Sequence, residues 1–385
     1  MAASAHNVNS LKNHNRALIF SHIRRQPMSR IQLSHLTGLT KSAITIIASD
    51  LIREGQLIEM GATRSTVGRK PITLDIVKDF KYAVGVSLHR KRVTVSVVNL
   101  KSELLDYDTA ALNSFNHYAD ALVWICGAIN RLLQKNNILP EKLVGIGVSC
   151  PGPLDYEQGV ILTPPNFNMF HNTPIVKLLK EQFYLPVYLE NNAVLLAMNE
   201  YFYGSMKNFS NSIFVIISNG IGSSIIMNGE IYRGFKGHSG ELGHTSIDYK
   251  GAQCTCGGRG CLEQYATLKA LKARFGFESY ETVIDDAYLN KPYALNIVEY
   301  LVDCLSSAFV NVVNLFDLDS IILFGEYAYR NELLIDKLNT TVNSRSIINR
   351  AHQIKVLWSE LNPDAPLISD TAVLLNNYFN QQIDY

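Results

Sequence analysis

Apolar positions recur at helical spacing near the start of the chain and at strand spacing after it. Over 17–23 (ALIFSHI), Leu18, Ile19 and Ile23 share one side, which predicts a short amphipathic helix ended by Pro27. The next stretch, SRIQLSHLTGL, predicts a second short helix with Ile31, Leu33 and Leu36 inward and Gly38 as its C-terminal cap. Thr40 is then the N-cap of a third helix over 41–54, with Ile44, Ile47, Leu51 and Ile52 on its buried face. Lys41, Ser42, Thr45, Ser49 and Arg53 are left outside. Two strands follow, 56–59 and 72–74, around the basic loop ATRSTVGRKP. Helix, glycine turn, helix with a small polar leading edge, then a strand pair is the pattern of a winged helix-turn-helix.

From Tyr82 the period changes to that of strands. YAVGVSL, RVTVSVVNL and ELLDYDT are rich in β-branched residues, and a helix over about 119–135 separates them from LVGIGVSC (143–150) and, after a further helix, VYLEN (187–191). The order begins again at 212 with SIFVIIS and SSIIMN, a long helix near 294–314 and SIILFG. Three strands, helix, strand, helix, strand, met twice, predicts a duplicated pair of α/β lobes. In such folds ligands sit at the carboxyl ends of strands.

Charge sharpens the division. Residues 1–80 hold 11 Lys/Arg against 5 Asp/Glu, and the remaining 305 hold 24 against 29. A basic head on an acidic body predicts that the head meets double-stranded DNA, although a helical protein-docking domain has the same helix pattern. Lys41, Ser42 and Thr45 would meet base edges in the major groove, and Ser49 and Arg64 complete the DNA-binding set. Arg24, Arg25 and Lys70 would meet phosphates, which position without specifying. The opening MAASAHNVNS lacks the apolar core of a signal peptide, and the longest charge-free run (209–229) is broken by Asn, Ser and Gly. A cytoplasmic protein without a membrane span is expected.

Three of the six cysteines, Cys254, Cys256 and Cys261, fall within eight residues, separated by Gly257, Gly258 and Gly260, with His244 ten positions upstream. Free cysteines are often core residues, but these stand in a polar, glycine-rich loop. Three thiolates and an imidazole complete a tetrahedral zinc site with no position left for water. One structural Zn2+ per chain is therefore expected.

The pattern Glu241-x-x-His244, then Cys254-x-Cys256-Gly257-x-x-Gly260-Cys261-x-Glu263, resembles the signature of the ROK family of bacterial sugar kinases and sugar-responsive repressors. The Gly68-Arg69-Lys70-Pro71 run is similar to the wing ending of ROK repressors. The resemblance implies an α/β protein: an N-terminal winged helix-turn-helix (1–80), then a duplicated actin-like (ribonuclease H-like) ATPase fold with a zinc loop. Its first lobe would be 81–200, with a C-terminal helix at about 368–385 packing back on it, and its second lobe 201–367. It also implies that Arg69 enters a minor groove, and that Gly152, Asn166, Asn191 and Asn192 face Glu241, His244 and Glu263 across a sugar pocket. An asparagine alone is as well explained by a turn that it caps.

The departures from the kinase pattern lie on the nucleotide side. ROK kinases have an Asp where this chain has Asn192, and an amide cannot take a proton from a sugar hydroxyl. The first phosphate loop is Ser87-Leu88-His89-Arg90-Lys91, without glycine or carboxylate. The second keeps Gly220 and Gly222 but has Ser223 and Ser224, and the adenosine turn has Phe324 and Glu326 around Gly325. No catalytic residue and no ATP are expected. The chain is expected to be a regulator, a repressor released from its operator by a sugar or sugar phosphate, acting as a homodimer or homotetramer. The rivals are a sugar kinase with a DNA-binding head, and a repressor controlled by a protein such as a transport-system component.

Overall fold

In the computed structural model, which describes residues 8–61, 72–362 and 364–380, the first helices start and stop where their caps stand. After α1 (Val8–Ile23) and the two-residue strand β1 (Met28–Ser29), Ser29 and Gln32 form a capping box that opens α2 (Arg30–Thr37). Gly38, at φ 71°, closes α2 in the left-handed conformation that an L side chain disfavours. The Thr40 hydroxyl accepts the Ala43 amide and opens α3 (Lys41–Arg53). Next, β2 (Leu57–Met60) pairs antiparallel with β3 (Thr73–Ile76), and β1 joins the other edge in the order β1-β3-β2. Ile44, Ala48 and Leu51 are the buried residues of α3, and Ile47 and Ile52 pack partly against them.

Two inward assignments on α2 are corrected. Leu33 is fully buried, but Ile31 and Leu36 are more than half exposed. With eight residues, α2 offers the core little more than one position per turn, and Leu33 takes it.

The chain divides into two compact units, Met1–Leu196 with Asn362–Tyr385, and Ala197–Leu361. In the first, β4 (Tyr82–Leu88), β5 (Arg92–Asn99), β6 (Leu104–Ala111), β7 (Leu143–Cys150) and β10 (Val187–Asn191) form a sheet ordered β10-β7-β4-β5-β6. The pairs β4–β7 and β7–β10 are parallel, and β4–β5 and β5–β6 antiparallel. Its other elements are α4 (Tyr118–Lys135), the short β8 (Leu154–Asp155) and β9 (Val160–Ile161), α5 (Ile175–Phe183) and the start of α6 (Asn192–Tyr203). The chain returns to this unit through α12 (Ala365–Ile368) and α13 (Ala372–Phe379). Ile19, Phe20 and Ile23 of α1 share one apolar cluster with Val98, Val144 and, from α13, Leu374, Leu375 and Phe379. The core of the head is thus continuous with that of the sheet.

Arg24 belongs to this junction, which corrects its expected role at a phosphate. It is 6% exposed, its guanidinium lies 4.9 Å from the Phe379 ring centre, and Nη1 donates to Asn376 Oδ1 at 3.2 Å. A buried guanidinium is stable only with such partners.

In the second unit β11 (Ser212–Ile217), β12 (Ile221–Met227), β13 (Glu230–Tyr232), β14 (Ser320–Gly325) and β15 (Lys355–Trp358) repeat the arrangement as β13-β12-β11-β14-β15. The duplication read from the strand pattern is present in both sheets. Between them run α7 (Glu263–Ala266), α8 (Leu268–Phe275), α9 (Tyr280–Tyr288), α10 (Pro292–Phe316) and α11 (Glu332–Arg345). By length and composition α10 could cross a membrane. However, Leu301, Leu305, Phe309 and Val313 are buried against the β-sheet residues of this unit, so α10 is its core helix.

Candidate functional site

The cysteine loop is assembled by short backbone bridges. Cys254 N donates to Gly258 O, Leu262 N to Thr245 O, and Ser246 and Cys261 form a β-bridge. Gly260 has φ 67°, and a Cβ there would stand 1.8 Å from Asp248 O, so only glycine lets the two arms approach. The result brings one ligand atom each from His244, Cys254, Cys256 and Cys261 within 4.8 Å of one another. Cys256 Sγ lies 3.6 Å from Cys261 Sγ, and Cys254 Sγ 3.7 Å from His244 Nδ1. Tetrahedral zinc, with bonds of about 2.3 Å to sulfur, needs sulfur separations of about 3.8 Å, so the donor set fits that ion. Burial and the neighbouring thiols push the Cys261 thiol up to about 12, whereas the Gly258 amide lowers Cys256. A cation among these sulfurs would displace the protons.

Acids border this cluster. Glu263 Oε1 is 3.6 Å from Cys254 Sγ and 3.7 Å from His244 Nδ1. Glu241 is exposed, and its carbonyl accepts the His244 amide in a single 3-10 turn. That turn is clamped to β12, because Gly240 O accepts both the amide and the hydroxyl of Ser223, at 3.2 and 2.7 Å. Glu263 also lies next to Gly220, where an added Cβ would stand 3.3 Å from its Oε2. The sequence set Glu241, His244 and Glu263 is therefore gathered on one loop system with the thiols.

On the first unit, Gly152 and Asn191 are neighbours: a Cβ on Gly152 would meet Asn191 Nδ2 at 3.3 Å. Asn191 Oδ1 accepts the Ala193 amide, and Asn192 is exposed at the first position of α6. Asn166 is exposed with φ 57°, the left-handed turn conformation that asparagine tolerates. Arg90 Nε reaches this turn at Pro165 O, 3.1 Å away.

The counterparts of the phosphate loops carry side chains at positions where glycine would leave the backbone bare. Ser149 Oγ donates to Ser87 Oγ at 3.2 Å. His89 is held below its usual pKa, first by burial and then by Arg92, Arg90 and Lys91. Ser223 and Ser224 are buried, and the Ser223 hydroxyl is spent on Gly240 O. A glycine-lined cradle leaves its backbone amides open to phosphate; here Ser223 and Ser224 stand at two of the corresponding positions.

On the head, Lys41, Ser42, Thr45 and Ser49 are exposed on α3, as is Ile46. Arg64, Arg69 and Lys70 lie outside the described residues.

A family model described as "ROK family" matches residues 83–375. The chain belongs to the ROK family. It is 30% identical over 377 residues to the Xylose repressor of Bacillus spizizenii, covering 96% of this chain and 97% of that protein. The crystal structure of a ROK family transcriptional regulator, described as a homolog of the E. coli MLC protein, matches 96% of this chain and 98% of its own with a TM-score of 0.78. At 24% identity that likeness concerns the fold. A ROK hexokinase from Thermus thermophilus, 25% identical, covers 77% of this chain and 98% of its own with a TM-score of 0.65. The body thus has the α/β fold of ROK sugar kinases, a family that holds repressors and kinases alike.

Two residues of this ROK chain escaped the sequence reading. Asp370 is buried beside β4 and β7, and burial pushes its carboxyl up to about 7 against the pull of the Ser149 hydroxyl. Nothing in SDTAVLL marks that aspartate as buried. Ile46 is the other: among the isoleucines of KSAITIIASDLIR it looks like core, yet it is 65% exposed. Its angular position opposite Ile44 and Leu51 was the available signal.

Proposed function

We propose that the chain is a cytoplasmic, zinc-stabilised repressor of carbohydrate uptake or catabolism genes, released from DNA by a sugar or sugar phosphate. The observation that carries the proposal is the head. Capped helices α2 and α3 join through Gly38 and leave a small polar stripe exposed, and they precede a body with serines at glycine positions of the family's phosphate loops. The likeness to a protein named Xylose repressor runs through head and body together, whereas the hexokinase matches about three quarters of the chain. We assign α2 and α3 as the helix-turn-helix and β2 and β3 as the strands of a wing. Lys41, Ser42, Thr45 and Ser49 meet base edges, Arg64 and Lys70 meet phosphates, and Arg69 enters the minor groove. A dimer or tetramer sets two such heads on paired half-sites.

His244, Cys254, Cys256 and Cys261 would hold one structural zinc, which supplies folding energy and fixes the loop carrying Glu241 and Glu263. We assign Gly152, Asn166, Asn191, Asn192, Glu241, His244 and Glu263 to the sugar hydroxyls, a polyol being the ligand that needs so many paired donors and acceptors. Asn192 binds a hydroxyl without removing its proton, so no phosphoryl transfer follows. The sugar acts by population shift, binding the state with low DNA affinity better than the other.

The test has two arms on the full chain. Selection from random duplexes should yield an operator whose affinity falls linearly with salt on a logarithmic scale. A coupled ATP assay over a sugar panel should show no turnover. Failure to select any duplex, or turnover on any sugar, would overturn the proposal.

A further inference from the structure

The outward face of α3 carries a residue that the polar stripe does not explain. Ser42, Ile46, Ser49 and Arg53 follow one another at intervals of four, three and four, so they share one stripe of the helix. That stripe is opposite Ile44, Ala48 and Leu51, which are fully buried. Ile46 is 65% exposed and, unlike Ile47 and Ile52, does not pack against the head's apolar cluster. At the preceding position, Thr45 Oγ1 donates to Lys41 O at 2.8 Å, so that hydroxyl proton is committed to the helix itself. The face therefore offers two serine hydroxyls with a branched hydrocarbon between them, and at its far end Arg53, which is ion-paired with Asp50.

Charge and shape together select the occupant. The excess of 11 Lys/Arg over 5 Asp/Glu in residues 1–80 suits a polyanion, and a single α-helix fits the major groove. Ser42 and Ser49 can bond to any base edge and so discriminate little. An isoleucine has no polar atom, and it would strip water from the N6 of adenine, the N7 and O6 of guanine or the N4 of cytosine without replacing a bond. Thymine alone presents an apolar group there, its C5-methyl. We propose that Ile46 is a specificity-determining residue that reads the C5-methyl of one thymine in each half-site. This rests on α3 being the recognition helix, and it adds the identity of one base pair to that assignment.

Substituting deoxyuridine for thymine removes the methyl and nothing else, so it isolates the contact. The operator selected with the full chain is rebuilt with each thymine replaced in turn, and affinity is read by fluorescence anisotropy for wild type, Ile46→Ala and Ile46→Val. Burying one methyl corresponds to about fourfold in affinity per half-site. The expected result is one thymine per half-site whose replacement weakens wild type and Ile46→Val by about that factor and leaves Ile46→Ala unchanged. Because Ile46 supports no core contact, all three proteins should have the same thermal melt, which separates the effect from misfolding. If every thymine responds equally in wild type and Ile46→Ala, or none responds in either, the inference is wrong and Ile46 serves a protein partner instead. If no duplex is selected at all, the DNA-binding assignment fails first, and the inference falls with it.

Discussion

Replacing Phe379 with alanine should loosen the head from the body. The ring is fully buried, its centre is 5.5 Å from that of Phe20, and the Arg24 guanidinium lies over it at 4.9 Å. Truncating a buried phenylalanine costs about 3–5 kcal/mol through lost transfer energy and the cavity left behind. Here the value should fall near the top, about 4–5 kcal/mol, because the buried Arg24 also loses its aromatic face. The chain contains two tryptophans. Trp124 lies on α4 of the first unit and Trp358 on β15 of the second. In a Trp358→Phe background, urea unfolding followed by fluorescence therefore reports the first unit alone. A double-mutant cycle with Phe20→Ala should give a coupling of about 1 kcal/mol, the usual worth of a tilted aromatic pair beyond its burial. A loss below about 1 kcal/mol for Phe379→Ala, or strictly additive single mutants, would refute the continuity of the α1 and α13 core.

Other outcomes follow from the same geometry. Elemental analysis should find one zinc per chain, and Cys256→Ala should lose the metal and melt at lower temperature; metal-free protein purified without chelator would contradict the assignment. Asp370 has a folded-state pKa raised to about 7 from 3.8, so its stabilising share is full below about pH 4 and is lost as pH rises through about 7. That shift amounts to about 4 kcal/mol at most, and Asp370→Asn should flatten the fall in first-unit stability between those values; an unchanged pH profile would refute it. Asn192→Asp should bind sugar yet transfer no phosphate in a coupled assay, because Ser87-Leu88-His89-Arg90-Lys91 still offers neither glycine nor a carboxylate for the phosphates and their metal.

Features governed by local chemistry were legible in the sequence. Gly38 and Thr40 cap helices through bonds that span at most four residues, so their places could be read off. The cluster of His244, Cys254, Cys256 and Cys261 was legible because a tetrahedral metal site demands particular donors at short spacing. The first five-stranded sheet was legible from its β-branched runs, and so were β11, β12 and β14 of the second, whereas the short β13 and β15 were not named. What depends on distant partners was not. Arg24 counted as one more positive charge until Asn376 and Phe379, more than 350 positions away, enclosed it. Asp370 and Ser149 meet only because α12 and α13 return the chain to the first sheet. Ile31 and Leu36 were assigned inward by hydropathy, yet α2 is too short to bury more than Leu33.

The central claim, that a sugar held by the Glu241 loop controls DNA binding, is tested most directly by release. The full chain is bound to its selected operator and titrated with pentoses, hexoses and their phosphates while anisotropy is followed. One of them should release the DNA saturably, lowering the apparent affinity by about tenfold or more, which is a coupling of about 1.4 kcal/mol. Glu241→Ala should bind the operator as wild type does and fail to respond. If no sugar or sugar phosphate shifts the affinity, or if Glu241→Ala is released just as readily, the account is contradicted.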